Sequence, residues 1–149
     1  MKAESERGFT LIEMMIVVAI IAILVAILVP NFMRARAQAQ TAACEANLKE
    51  IATALELYQT DNQTYPNVSG SVAVTKTETN IGSYLRQTPI DPVAPGKNYK
   101  YSVTNPSTGT ATYTITCPGG HDPGTMSAIG ATAAQTQITY SSNNGYVPQ

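Results

Sequence analysis

The sequence predicts an α+β chain in which one long amino-terminal helix, first apolar enough to span a membrane and then amphipathic, packs against a small antiparallel β-sheet. Three observations predict it. Residues Phe9 to Val29 form a run of 21 positions that are apolar except for Thr10 and Glu13. After Pro30, a second stretch of good helix formers runs without glycine or proline until Pro66 and carries apolar residues at helical spacing. Beyond Pro66 the apolar residues fall into short segments of period-two alternation, separated by turn-forming residues.

As a helix, the first run would extend about 31 Å, matching the roughly 30 Å hydrocarbon core of a bilayer. Glu13 does not belong in an ordinary membrane anchor, because a carboxylate in the bilayer interior costs on the order of 3 kcal/mol even on lenient insertion scales. A cleaved secretory signal is a rival reading. Lys2 and Arg7 precede the run and Ala35-Arg36-Ala37 follows it as a small-x-small site. The run is too long for that class, and the acid counts against it. Pro30 removes an amide donor from a helix that otherwise continues, so it either ends the anchor or kinks the stem.

In the second stretch, Cys44, Leu48, Ile51, Leu55 and Tyr58 recur at spacings of four and three and share one face. Glu45 lies four residues before Lys49 on an outer face. The composition of "DNQTYP", from Asp61 to Pro66, predicts the end of the helix.

Strand candidates follow. "SVAVTK" is weakly patterned, "NYKYSV" alternates Tyr99, Tyr101 and Val103 with polar neighbours, and "ATYTITC" alternates Tyr113, Ile115 and Cys117 with threonines. "TNPSTG" between the last two reads as a hairpin connection. The stretch from Ala131 predicts one edge strand around Gln137 to Ser141 and then a frayed end. Helical spacing puts Cys44 on the apolar face of the helix, and strand alternation puts Cys117 on the apolar face of the sheet. A Cys44–Cys117 disulfide is the expectation, closing a loop of about 74 residues and contributing about 2–4 kcal/mol. Two buried free thiols are the alternative.

Composition narrows the function. The chain has 149 residues, nine basic and ten acidic, for a net charge of −1, so bulk charge selects neither a nucleic-acid binder nor an acidic substrate. Lys97 and Lys100 interleave with Tyr99 and Tyr101, but two lysines are too few for a nucleic-acid site, and a solvated strand face is the expectation. His121 is the only histidine and reads as part of a turn after a strand rather than as a metal ligand or catalytic base. No phosphate loop, catalytic carboxylate pair or triad can be assembled, so no enzyme activity is expected.

"RGFTLIE", a short charged leader ending in Gly8 and followed by Phe9, Thr10, Leu11, Ile12 and Glu13, resembles the processing signal of type IV pilins and type II secretion pseudopilins. Pro30 stands at position 22 of the mature chain, counted from Phe9, as in that family. "LYQTDNQTYP", then Asp91-Pro92, then "NYKYSV" are similar in order to the major pseudopilin of type II secretion. One departure is that Glu4 and Glu6 balance the basic residues of the leader.

The resemblance implies a pilin fold with residues 1–8 as leader and 9–30 as membrane-spanning, filament-core helix. Residues 31–61 would be the amphipathic half of the stem, and 62–149 a globular β head with a carboxyl-terminal tail. It implies cleavage between Gly8 and Phe9, N-methylation of Phe9, and extraction from the inner membrane into a periplasmic or extracellular filament. Phe9, Glu13 and Pro30 would be the assembly residues. The new amine of one subunit would approach Glu13 of a neighbour and fix axial register, the alternative being a Glu13 that reaches the interface or is protonated.

Expected partners are copies of the chain itself, minor pilins or pseudopilins, the prepilin peptidase and methylase, an assembly ATPase, a platform membrane protein and, where an outer membrane exists, a secretin. Pseudopilins hold calcium in an acidic carboxyl-terminal loop. Here "CPGGHDPGTMSAIG" offers only Asp122 as a carboxylate, which makes it a weak calcium candidate, and no cofactor is expected. A secreted or membrane-tethered binding domain that does not polymerise is the rival function.

Overall fold

The structure, a computed structural model, describes residues 8–104, 111–121, 137–143 and 145–148. Two compact units divide the chain, Met1–Arg36 and Ala37–Gln149. Helix α1 spans Leu11–Asn62 and contains Pro30.

In the first unit every described residue, from Gly8 to Arg36, is exposed. The apolar run has no stripe because it is apolar on all sides, so no face of it is selected for burial. It is the one described segment long and apolar enough to cross a membrane. Pro30 does not end the helix. Lacking an N–H, it leaves the Ala26 carbonyl without its usual donor, and next to that gap the Asn31 side-chain amide donates to the Ile27 carbonyl at 3.3 Å.

In the second unit the helix has a buried stripe of Thr41, Cys44, Leu48, Ile51, Ala52, Ala54 and Leu55. Cys44, Leu48, Ile51 and Leu55 are four of the five residues whose spacing predicted a shared face; the fifth, Tyr58, is half-buried and packs against the core. The helix ends where "DNQTYP" begins: Gln63 takes a left-handed φ of 61°, and its N–H donates to the Gln59 carbonyl at 2.8 Å.

The sheet is a five-stranded antiparallel meander in the order β1-β2-β3-β4-β5. Its strands are β1 (Val72–Ala73), β2 (Lys100–Thr104), β3 (Thr112–Thr116), β4 (Ile138–Ser141) and β5 (Gly145–Pro148). β2 and β3 pair from Lys100↔Thr116 to Thr104↔Thr112; the "NPSTG" predicted to connect them lies outside the described residues. Tyr99, Tyr101, Tyr113, Ile115 and Cys117 are all buried against the helix stripe, and Lys97 and Lys100 are exposed. From Tyr99 to Tyr101 the interleaving is in-and-out alternation leading into β2, and Lys97 lies on the exposed approach to that strand. The expected frayed end is replaced by β5, which pairs with β4 from Ile138↔Pro148 to Ser141↔Gly145. Proline is acceptable there because an edge strand has N–H groups that need no ladder partner.

Hydrogen bonds tie helix to sheet. Glu56 accepts from the Tyr113 hydroxyl at 2.9 Å and from the Tyr65 hydroxyl at 3.0 Å. The Asn47 amide donates to the Tyr99 hydroxyl and to the Ile90 carbonyl, both at 3.0 Å. Between β1 and β2 the chain runs irregularly, held by the buried side chains of Val74, Ile81 and Leu85.

Candidate functional site

Of the residues singled out for assembly, Phe9 and Glu13 lie at the start of α1 and Pro30 lies within it. Thr10 and Glu13 form a reciprocal capping box. The Thr10 N–H and hydroxyl donate to Glu13 Oε2 at 2.8 and 2.7 Å, and the Glu13 N–H donates back to the Thr10 hydroxyl at 3.3 Å. Helix amino termini carry unsatisfied N–H groups and a partial positive charge, so a carboxylate at the third helical position is stabilising. The T-x-x-E spacing was present in "TLIE", but sequence reasoning read the acid for its charge alone. Gly8, Phe9, Thr10 and Glu13 line a shallow surface depression, and Phe9 is 76% exposed. Apart from Leu57 and Ile90, every large apolar side chain that stays exposed among the described residues lies between Phe9 and Met33.

A second cluster lies in the other unit. Cys44 and Cys117 are joined by a disulfide and are both fully buried. Around it stand two side chains that no local sequence pattern combines. His121, 3% exposed, places Nε2 3.1 Å from Cys117 Sγ, and its Nδ1 lies 3.4 Å from the Thr41 hydroxyl oxygen. Asp91, fully buried, places Oδ2 3.1 Å from the same sulfur.

The carboxylate of Asp91 is held by backbone amides. Oδ1 accepts from Val93 N–H and Ala94 N–H at 2.7 and 3.1 Å, and Oδ2 accepts from Gly119 N–H at 2.7 Å. Burial pushes the His121 imidazole below its ordinary pKa, with the Asp91 charge acting in the opposite direction. His121 thus follows a strand as expected, and it is a core residue. Asp122, the weak calcium candidate, lies outside the described residues.

Two family models match the chain. The prokaryotic N-terminal methylation motif covers residues 5–29, and type II secretion system protein G covers residues 31–138. Type II secretion system core protein G of Pseudomonas aeruginosa is 38% identical over 110 residues, which is 68% of this chain and 76% of that relative. Core protein G of Vibrio cholerae is 32% identical over 108 residues, 67% of this chain and 73% of the relative. The type IV wide pilus major component PilA4 of Thermus thermophilus is 49% identical over 59 residues, 40% of this chain and 45% of the relative. No solved structure matches the chain. An amino terminus with the methylation motif, followed by a helix-and-sheet head that the protein G family model spans almost entirely, leads to one conclusion: the chain belongs to the type II secretion system protein G family.

Proposed function

We propose that this chain is the structural subunit of a filament of the type II secretion kind, built from the inner membrane by packing of residues 9–30 from many copies. The observation that carries the reading is the continuous exposure of apolar side chains from Phe9 to Met33, headed by a carboxylate. A surface of that size is stable in a lipid bilayer or against copies of itself, not in water. Its function is mechanical, with no catalytic step.

In this reading the prepilin peptidase cuts between Gly8 and Phe9 and methylates the new amine. Glu13 Oε2 remains engaged by Thr10, and Oε1 is the atom to receive a neighbour's amine. A charge in an apolar filament core is costly when unpaired, so the one axial setting that pairs it is selected. Pro30 lets the stem yield locally where copies pack. Minor pseudopilins, the assembly ATPase, the platform protein and a secretin complete the machine, and the filament lies in the periplasm. A pilus exposed outside the cell is the second reading, favoured by the 49% identity to the wide-pilus component. That match covers 40% of the chain, whereas the protein G match reaches residue 138.

Glu13→Gln tests the proposal, because glutamine preserves a capping box but carries no charge. Membrane insertion and helix content should be unchanged, while sheared filament yield falls sharply. Wild-type yield from Glu13→Gln would reject the register role.

A further inference from the structure

The cluster around the disulfide is independent of filament assembly, and it has the composition of a metal centre. Sγ of Cys44, Sγ of Cys117 and a ring nitrogen of His121 lie within 4.8 Å of one another, and all three residues are buried. We propose that in its thiol form the head binds one Zn2+ through Cys44, Cys117 and His121 Nε2, with Asp91 Oδ2 as the adjacent fourth donor, and that metal binding and the disulfide exclude each other.

Four features carry this. First, the spacing is right. Zn–S bonds of about 2.3 Å and Zn–N bonds of about 2.0–2.1 Å at tetrahedral angles put ligand atoms about 3.6–3.8 Å apart, so the imidazole needs to shift by only a fraction of an ångström from its 3.1 Å approach to Cys117. The cysteine Cα atoms are 6.9 Å apart, which lets the reduced sulfurs separate by side-chain rotation.

Second, the Thr41 hydroxyl favours one His121 tautomer. The Thr41 hydroxyl donates to the Ala37 carbonyl at 3.1 Å, so its oxygen is placed to accept from His121 Nδ1–H. That directs the Nε2 lone pair at the sulfur of Cys117, and it is the outer-sphere arrangement that orients metal-bound histidines.

Third, the Tyr99 hydroxyl lies 3.5 Å from Cys44 Sγ as a donor to a thiolate. Fourth, three backbone amides fix the Asp91 carboxylate beside the site. Two thiolates and one imidazole make a borderline-soft donor set that suits zinc and not calcium. On binding, each thiol gives up its proton to solvent; the two thiolates neutralise the ion, and the Asp91 carboxylate leaves the centre with one net negative charge, which the backbone N–H groups of Val93, Ala94 and Gly119 help to stabilise.

The test uses the full chain in detergent, reduced with a phosphine under argon and titrated with Co2+ and then Zn2+. One Co2+ per chain should bind with thiolate-to-cobalt charge-transfer absorption, and Zn2+ should displace it. The oxidised chain should show neither. His121→Ala should weaken binding by more than about 100-fold, and Thr41→Val by about tenfold, the range for loss of an outer-sphere partner. Zinc-edge X-ray absorption on the wild-type protein does not depend on how the variants fold and should count two sulfur ligands. The proposal is overturned by absence of the charge-transfer band, equal binding by the oxidised chain, unchanged affinity in a folded His121→Ala, or a shell without sulfur.

Discussion

Ile20 and Leu48 lie on the same helix and are both large and aliphatic, yet Ile20 is 53% exposed and Leu48 is fully buried. The contrast holds for their whole regions. Residues 9–33 are more apolar than any other part of the chain and bury nothing; residues 41–55 alternate with polar neighbours and bury a full stripe. Burial therefore follows pattern and not hydrophobicity. A helix apolar on every side has no unique face to offer a single sheet, and its solvent or partner must surround it. A striped helix is completed by one sheet from its own chain.

The largest expected effect comes from separating the two regions. A chain beginning at Ala37 should be soluble and monomeric without detergent and should melt cooperatively, as read by sedimentation and calorimetry, because the buried core lies wholly within the second unit. Aggregation or a non-cooperative melt would mean the core needs the apolar helix.

Next in size is a matched pair. Leu48→Ala should destabilise the head by about 3 kcal/mol, while Ile20→Ala should leave its melting within about 0.5 kcal/mol. Equal effects would erase the distinction between the regions. A smaller loss, about 1–2 kcal/mol, is expected for Glu56→Ala, which removes the acceptor of the Tyr65 and Tyr113 hydroxyls.

The mildest probe is alkali. Burial raises the phenols of Tyr65 and Tyr99 to about 12 and pushes those of Tyr101 and Tyr113 up as well. These neutral phenols are favoured in the folded head, so the stability they contribute is fully present below the unfolded value of 10.0 and is lost as pH rises through about 12. Denaturant midpoints should be flat up to about pH 9 and decline beyond 10, whereas helix content of the membrane segment in detergent should not follow that decline.

Much of this was legible beforehand. The spacing of Cys44, Leu48, Ile51 and Leu55 gave the buried face because helical period and sheet burial demand the same residues. The alternation of Tyr113, Ile115 and Cys117 gave β3 for the equivalent reason. β5 was missed because "GYVP" between a glycine and the chain end carries turn residues rather than alternation, and an edge strand asks little of its sequence. β1 shrank to two residues, since Val72 and Ala73 offer little to a ladder. The grouping of His121 and Asp91 with the cysteines was illegible for another reason. Asp91 and Cys117 are 26 positions apart, and Thr41 and His121 are 80 apart. No local pattern reports a meeting made by the packing of three separate segments. The capping box, by contrast, was written in four consecutive residues and was masked by attention to the charge of Glu13.

The covalent link between Cys44 and Cys117 encloses the residues between them in a ring. A pull delivered along the helix and resisted beyond β3 has a covalent path through two sulfur atoms that bypasses the enclosed backbone. A protease nick inside the ring likewise leaves both fragments fastened, so a cut subunit sheds nothing until its sulfur bond is opened.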